Sequence, residues 1–368
     1  VSSHHDVRTL DRSHGPALLE LTRACPIQAD FTFLFARDPD FFAWPDAVFD
    51  RYEYRGILEG NRLVAAGLVA VVNGVTGYGR DLYAYGGDLR VLPGARGRGA
   101  GTSIIRDFVA RPPEGPDAGY VLVKDGNAAG MRMVDRGDGQ GALPGQDLGP
   151  LLAMSIPLVR RVRGPGVCQV RRARPGDVEQ LAATYARTLA HRPFAPVLTA
   201  DRIVQDAVRI PGMGLDRYFV ALRAGRLVGA LAAWDERALR RTVILRYALR
   251  GQLQRAAFWA ASRAFRAGAR MPRPGEPLHN LTVSRLAVQD DDPGVLADLL
   301  AAVTAEHAGD GHHLLALGLP GGDPLLPGLR GFMAIPFTSR VFGVRAKDPG
   351  LPALPPSMGR PYLDLALI

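Results

Sequence analysis

Apolar positions along residues 82–110 change their period once, and that change organises the chain. Leu82-Tyr83-Ala84-Tyr85-Gly86-Gly87-Asp88-Leu89-Arg90-Val91 reads as a strand. Further on, Ile104, Ile105, Phe108 and Val109 recur at helical spacing, which predicts a helix over 103–110. Between the two lies a glycine-rich turn, Leu92-Pro93-Gly94-Ala95-Arg96-Gly97-Arg98-Gly99-Ala100-Gly101-Thr102. If Leu89 and Val91 face the helices, Asp88 and Arg90 face the other side. Gly86 and Gly87 fit a bulge, which leaves the facing of earlier residues open.

The same alternation places the other elements. A strand over 7–10 leads into a helix over 15–25, and residues 58–67 form a hairpin. Residues 120–123 are a strand, after which Asp125-Gly126-Asn127 turns into a short helix through Met131, Met133 and Val134. This order recurs. Val170 opens a second copy, a hairpin follows at 222–231, then a strand at 281–288 and a helix over 295–307. The offset is 163 from Val7 to Val170 and 164 from Leu58 to Leu222. Arg163-Gly164-Pro165-Gly166 has turn chemistry and sets the joint, dividing the chain into 1–163 and 164–368. A proline-rich connection at 349–361 and a strand-like run at 362–368 end the sequence.

Composition narrows the classes. A chain of 368 residues with 47% hydrophobic residues suits two packed domains. No apolar run is long enough to span a bilayer and no basic-then-apolar leader opens the chain, so a cytoplasmic protein without a membrane partner is expected. Cys25 and Cys168 are the only cysteines, expected as packed thiols in a reducing compartment. The net charge is +9, nearly all from arginine, with Lys124 and Lys347 the only lysines. No basic helix with interleaved aromatics accompanies that charge, so no nucleic-acid partner is expected. His191, His279, His307, His312 and His313 show no metal spacing, and no metal-binding residue is expected. Residues 27–54 hold the densest aromatic run, read as core packing or as a pocket wall. Trp234-Asp235-Glu236-Arg237 reads either as a contact across the two halves or as a solvated turn.

The central turn carries the chemistry. A glycine-rich loop between a strand and a helix N-terminus presents backbone N–H groups to a phosphate, and Arg96 and Arg98 add charge. No Gly-Lys-Ser/Thr follows, and Gly-x-Gly-x-x-Gly is absent. Arg96-x-x-Gly99-x-Gly101 after this strand resembles the coenzyme A loop of the Gcn5-related N-acetyltransferase (GNAT) superfamily. With the order of elements, the resemblance extends over nearly the whole chain. It implies an α/β (α+β) protein of two tandem GNAT folds, each a mixed, mostly antiparallel sheet flanked by helices.

The resemblance also implies a site in the first copy. Backbone groups of Leu89, Arg90 and Val91 would pair with the pantetheine. Arg96, Gly97, Arg98, Gly99, Ala100, Gly101 and Thr102 would cradle the pyrophosphate, and Asn127 would contact the cofactor or simply cap its helix. Asp88, then Tyr85, are the candidate bases; an arginine-paired strand-end carboxylate is the structural alternative for Asp88. Members often carry a Tyr as general acid seven residues after the Asn, where this chain has Val134. Protein N-myristoyltransferases, tandem GNAT folds too, use a terminal carboxylate as base, which makes Ile368 a remote further candidate. In the second copy the loop is Gln289-Asp290-Asp291-Asp292-Pro293-Gly294. Its carboxylates would repel a pyrophosphate and cap the helix instead, so no coenzyme A is expected there. The implied function is an acetyl-CoA (or other acyl-CoA) dependent N-acetyltransferase in which an amine on a small molecule or peptide attacks the thioester directly, as a monomer or homodimer. The alternative is a non-catalytic acyl-CoA or amine sensor.

Overall fold

The computed structural model describes residues 5–77, 81–135, 142–345, 354 and 359–368. The first half runs β1 (Val7–Leu10), α1 (Gly15–Ala24), β2 (Ile27–Gln28), β3 (Phe31–Ala36), α2 (Ala43–Val48), β4 (Arg51–Glu59), β5 (Arg62–Asn73) and β6 (Leu82–Val91). It continues through α3 (Ala100–Ala110), β7 (Ala118–Lys124), α4 (Ala128–Met133), β8 (Val134–Asp135) and β9 (Leu143–Pro157). The second half runs β10 (Gln169–Arg172), α5 (Val178–Leu189), α6 (Ala200–Arg209), β11 (Tyr218–Arg223), β12 (Arg226–Trp234), β13 (Arg241–Tyr247) and α7 (Leu249–Ala264). It ends with β14 (Pro277–Leu278), β15 (Asn280–Val288), α8 (Pro293–His307), β16 (Leu314–Pro320) and β17 (Ile335–Arg345).

One 13-stranded sheet crosses the molecule in the order β1-β4-β5-β6-β7-β17-β9-β16-β15-β12-β11-β10, with β8 on β9. Read from either edge inward, the order is the same: an edge strand, a hairpin, a long strand, and a strand after a helix. The pairs β6–β7 and β15–β16 are parallel, while their neighbours along the path are antiparallel. The middle is an exchange. β17 of the second half lies on β7, β9 of the first half lies on β16, and the two pair with each other. Each half thus completes its sheet with the other's last strand, so the division at 163/164 follows the chain but not the sheet.

Burial explains the arrangement. β5 and β12 are almost continuously apolar and buried, as interior strands covered on both faces must be. α1 and α5 bury one stripe each, Leu18 and Leu21 in the first and Leu181 and Tyr185 in the second. One apolar core runs through both halves, and a second surrounds α8.

The aromatic run is divided between elements, and one expectation changes. Phe31, Phe33 and Phe35 belong to strand β3 of a separate four-stranded sheet, β14-β13-β3-β2, which joins the halves. Residues 362–368 do not form a strand. They run extended into a 3-10 turn at Leu365–Leu367, tied by Tyr362 N donating to the Pro193 carbonyl at 2.8 Å. Most of 349–361 lies outside the described residues.

Candidate functional site

β6 and β7 pair from Tyr83↔Ala118 to Gly86↔Val121 and then part, so beyond Gly86 the outer side of β6 has no strand partner. Opposite β5 the register shifts between Ala66 and Leu68, which puts a bulge at Asp88-Leu89, just past Gly86 and Gly87. Asp88 itself takes the left-handed conformation, φ 54°, one that Asp tolerates better than most residues.

At the outer end, Gly97 (φ 77°) and Gly99 (φ 86°) shape the turn into α3, with Gly99 as its N-cap. A Cβ on either would meet nothing within 4 Å, so these glycines serve the backbone and the space over them is open. Gly101 is tight: a Cβ there would lie 2.9 Å from Met133 Cε. The first helical bond runs from Ser103 N to the Gly99 carbonyl at 2.8 Å. Among the described residues the N–H groups of Ala100, Gly101 and Thr102 have no acceptor. Arg96 is exposed and its Nε donates to the Val91 carbonyl at 3.1 Å, which also accepts from Cys25 Sγ at 3.3 Å. The carbonyl of Arg98 accepts from or faces His5 Nε2 at 2.9 Å. Leu89 is exposed, whereas the Arg90 side chain is almost wholly covered.

At the inner end, Asp88 has the arginine pairing that was the structural alternative to a base. Its carboxylate binds Arg37 Nη1 at 2.8 Å and Arg90 Nη2 at 2.6 Å and accepts from the Tyr54 hydroxyl at 2.9 Å. Burial opposes ionisation, but the two guanidiniums and the tyrosine overcome it and hold the carboxyl at about 2. Such a group is a poor proton acceptor at neutral pH, because both oxygens are engaged and its basicity is low. Tyr85, the second candidate base, is buried and held protonated well beyond the usual phenol range, mainly by burial and by Asp88. Among the described residues its hydroxyl has no hydrogen-bond partner. A side chain at Gly87 would collide with that hydroxyl, which explains the glycine.

Asn127 caps α4, accepting from Gly130 N at 3.0 Å. Val134 is buried with Val123 and Phe342, so no acid stands at that position. Sequence reasoning missed Arg37, and it read Tyr54 and Trp44 only as members of an aromatic run. Two guanidiniums pack against the Trp44 ring, Arg37 at 4.6 Å and Arg240 at 4.4 Å from its centroid. The buried donors Arg37 Nε, Arg90 Nε and Trp44 Nε1 have no partner among the described residues. Arg240 comes from the other half. It pairs with buried Glu236 and donates to the main-chain oxygen of Ile368 at 2.6 Å. In the Trp234–Arg237 stretch Trp234 is buried, as the solvated-turn reading also required, but Glu236 is buried too and holds Arg240 against Trp44 of the first half.

The second half repeats the divergence and fills it. β15 and β16 pair only from Asn280↔Leu314 to Thr282↔Ala316. Where α3 has its glycine turn, Asp292 caps α8 by accepting from Gly294 N at 2.8 Å, as expected. Asp291 and Asp292 are tied to Arg192 at 2.5 Å and Arg223 at 2.8 Å. The chain's last described segment lies against β16, with the Leu363 carbonyl and Leu365 close over Gly318. Asp364 is buried there. It accepts from Ser284 Oγ at 2.6 Å and from the bulge N–H of Arg285 at 3.0 Å.

Both cysteines are free thiols. His307, Asp310 and His312 do come together, with Asp310 receiving both imidazole Nδ1 atoms at 2.7 and 2.9 Å, a proximity that sequence spacing did not reveal. Arg172 Nη2 lies 3.4 Å from His307 Nε2, which suits a hydrogen-bonded group more than a cation ligand set.

A comparison of the sequence with protein-family models and with curated proteins found no match. Solved structures do match. A GCN5-related N-acetyltransferase from Sphaerobacter thermophilus aligns over 99% of this chain and 98% of its own, with TM-score 0.57 and 15% identity. An N-myristoyltransferase from Saccharomyces cerevisiae, solved with bound myristoyl-CoA, aligns over 94% and 83%, with TM-score 0.58 and 12% identity. With the parted parallel strands, the bulge and the glycine turn at a helix N-terminus, these alignments establish that the chain has the GNAT fold.

Proposed function

We propose that the protein is an acyl-CoA-dependent N-acyltransferase, using acetyl-CoA or a longer acyl-CoA, with one working site in the first of two tandem GNAT units. The observation that supports it most is the asymmetry of the repeat. One divergence is open and ends at an uncapped helix N-terminus with glycines at positive φ. The other is lined by carboxylates and covered by the chain's own tail. Coenzyme A fits the first: α3 offers unpaired N–H groups to a pyrophosphate, Arg96 and Arg98 flank them, and β6 has backbone free of a strand partner for an amide-bearing arm. Bound there, an acyl-CoA would supply the acyl group as an activated thioester.

The chain's own residues do the rest. Asp88 locks the bulge through Arg37, Arg90 and Tyr54. Tyr85 stays protonated and serves as a hydrogen-bond donor rather than a base. The acceptor amine, on a small molecule or a peptide, enters as the free base. Val134 in place of an acid supports the second reading, a sensor that binds without turnover. Calorimetric titration with coenzyme A and a thiol-release assay over a panel of amines separate the two. Turnover supports the enzyme, binding without turnover the sensor, and no binding sinks both.

A further inference from the structure

We propose that α7 and the arginine-rich chain around it form a face that docks on an anionic lipid surface. Between Glu236 and Glu276 the sequence has ten arginines and no acidic residue. The net charge is +9, so the rest of the chain sums to −1 and the basicity of the protein resides here. Arg241, Arg246, Arg263, Arg266, Arg270 and Arg273 are exposed.

Contrary to the expectation that no basic helix carries interleaved aromatics, α7 does, with Phe258 and Trp259 among Arg250, Arg255 and Arg263, and its apolar pattern is doubled. Gly251, Phe258 and Ser262 turn inward and are buried. On the opposite side Leu249 and Leu253 stand 77% and 65% exposed, with Ala256 and Ala260 continuing their stripe. Trp259 flanks it, 48% exposed. Large apolar side chains projecting from a convex helix among arginines match a helix lying in a membrane interface, apolar face down and guanidiniums at the headgroups. No helix among the described residues is long and apolar enough to cross a membrane, so the contact is peripheral. A second copy of this chain is a poor occupant, since apposed faces would set arginines against arginines.

The test uses the full chain with phosphatidylglycerol-rich and pure phosphatidylcholine vesicles at low salt. Trp44 and Trp234 are buried, so a change in tryptophan emission reports Trp259. We expect a blue shift and co-sedimentation with the anionic vesicles only, weakened by added salt. The Arg263→Glu/Arg270→Glu variant should partition at least about 25-fold more weakly, at roughly 1 kcal/mol per arginine. Leu253→Gln/Trp259→Gln should lose binding while unfolding at the parent temperature. No binding to anionic vesicles, equal binding to neutral ones, charge reversal without effect, or capture of a soluble acidic protein in place of vesicles would each overturn the proposal.

Discussion

Asp88 and Arg285 stand at the same register position of the two halves with opposite charge. Asp88 follows Gly87, which pairs with Leu68, which pairs with Tyr54; Arg285 follows Ser284, which pairs with Ala232, which pairs with Tyr218. Both residues have φ 54° and both bond to that tyrosine's hydroxyl. Around Asp88 the partners are Arg37 and Arg90; around Arg285 the partner is Asp206. The bulge is held by a buried ion pair in each half, with the signs reversed.

Asp88→Asn therefore acts on stability first. Asn accepts the left-handed backbone, so strain is unchanged, but two buried guanidiniums lose their counter-charge. Removing one partner of a buried pair costs about 3–5 kcal/mol. Urea unfolding of the variant checks this, and a midpoint equal to the parent's would contradict the structural role.

The same carboxylate sets an acid limit. Its folded value, about 2, lies below the unfolded value, which is roughly 3.9. Its stabilisation is present above about pH 4 and lost as pH falls through about 2. Acid unfolding followed by circular dichroism should show Asp88→Asn less sensitive to pH than the parent across that window.

Cofactor binding should depend on one turn only. Arg96→Ala and Gly99→Asp are expected to weaken coenzyme A binding tenfold or more, on the order of 1.4 kcal/mol or above. Gly99 loses its favoured φ 86° and gains a charge facing the phosphates. Asp291→Ala should leave binding unchanged. Equal losses from both halves in calorimetry would refute a single site.

Rate against pH should follow the acceptor. Asp88 remains ionised and Tyr85 protonated across the neutral range. Then kcat/KM rises with the free-base fraction of the amine, and its inflection moves when an amine of different pKa is used. An inflection near neutrality that stays fixed for every amine would reveal an enzymic base and sink the assignment.

Asp364→Ala should untie the tail. Ser284 Oγ, Arg285 N and Ala366 N would lose an acceptor in a buried place, costing roughly 3 kcal/mol. Coenzyme A affinity should persist, because these contacts lie in the second half. Paired unfolding and binding measurements decide it.

Much of this was readable in the sequence because it is local. The period change at 82–110, the turn glycines and the two hairpins depend on neighbours within a dozen residues. The repeat offset that matched Leu58 with Leu222 also relates Tyr54 to Tyr218, so one member of each buried cluster was marked. Arg37 was not, because nothing near it distinguishes it from other arginines; its partners lie 17 and 51 positions away. Likewise β3 pairs with β13 some two hundred residues on, and an aromatic run alone does not reveal a strand. Asp88 shows the limit most clearly. Its residue type suited a base or an arginine-paired carboxylate, and only the fold brings Arg37 and Arg90 onto it.

The exchanged strands give the chain an order of assembly. The sheet of the first half lacks its neighbour for β7 until Ile335–Arg345 has been made, and pairing Val344 with Gly119 closes a loop of more than two hundred residues. Contacts of such separation form late and slowly. During synthesis the open edge of β7 must wait, exposed to other chains, until residues 335–345 have left the ribosome. Cutting the gene at the repeat boundary would strand β9 with one fragment and β17 with the other. Recovery of function should then require both fragments together, each finishing the other's sheet.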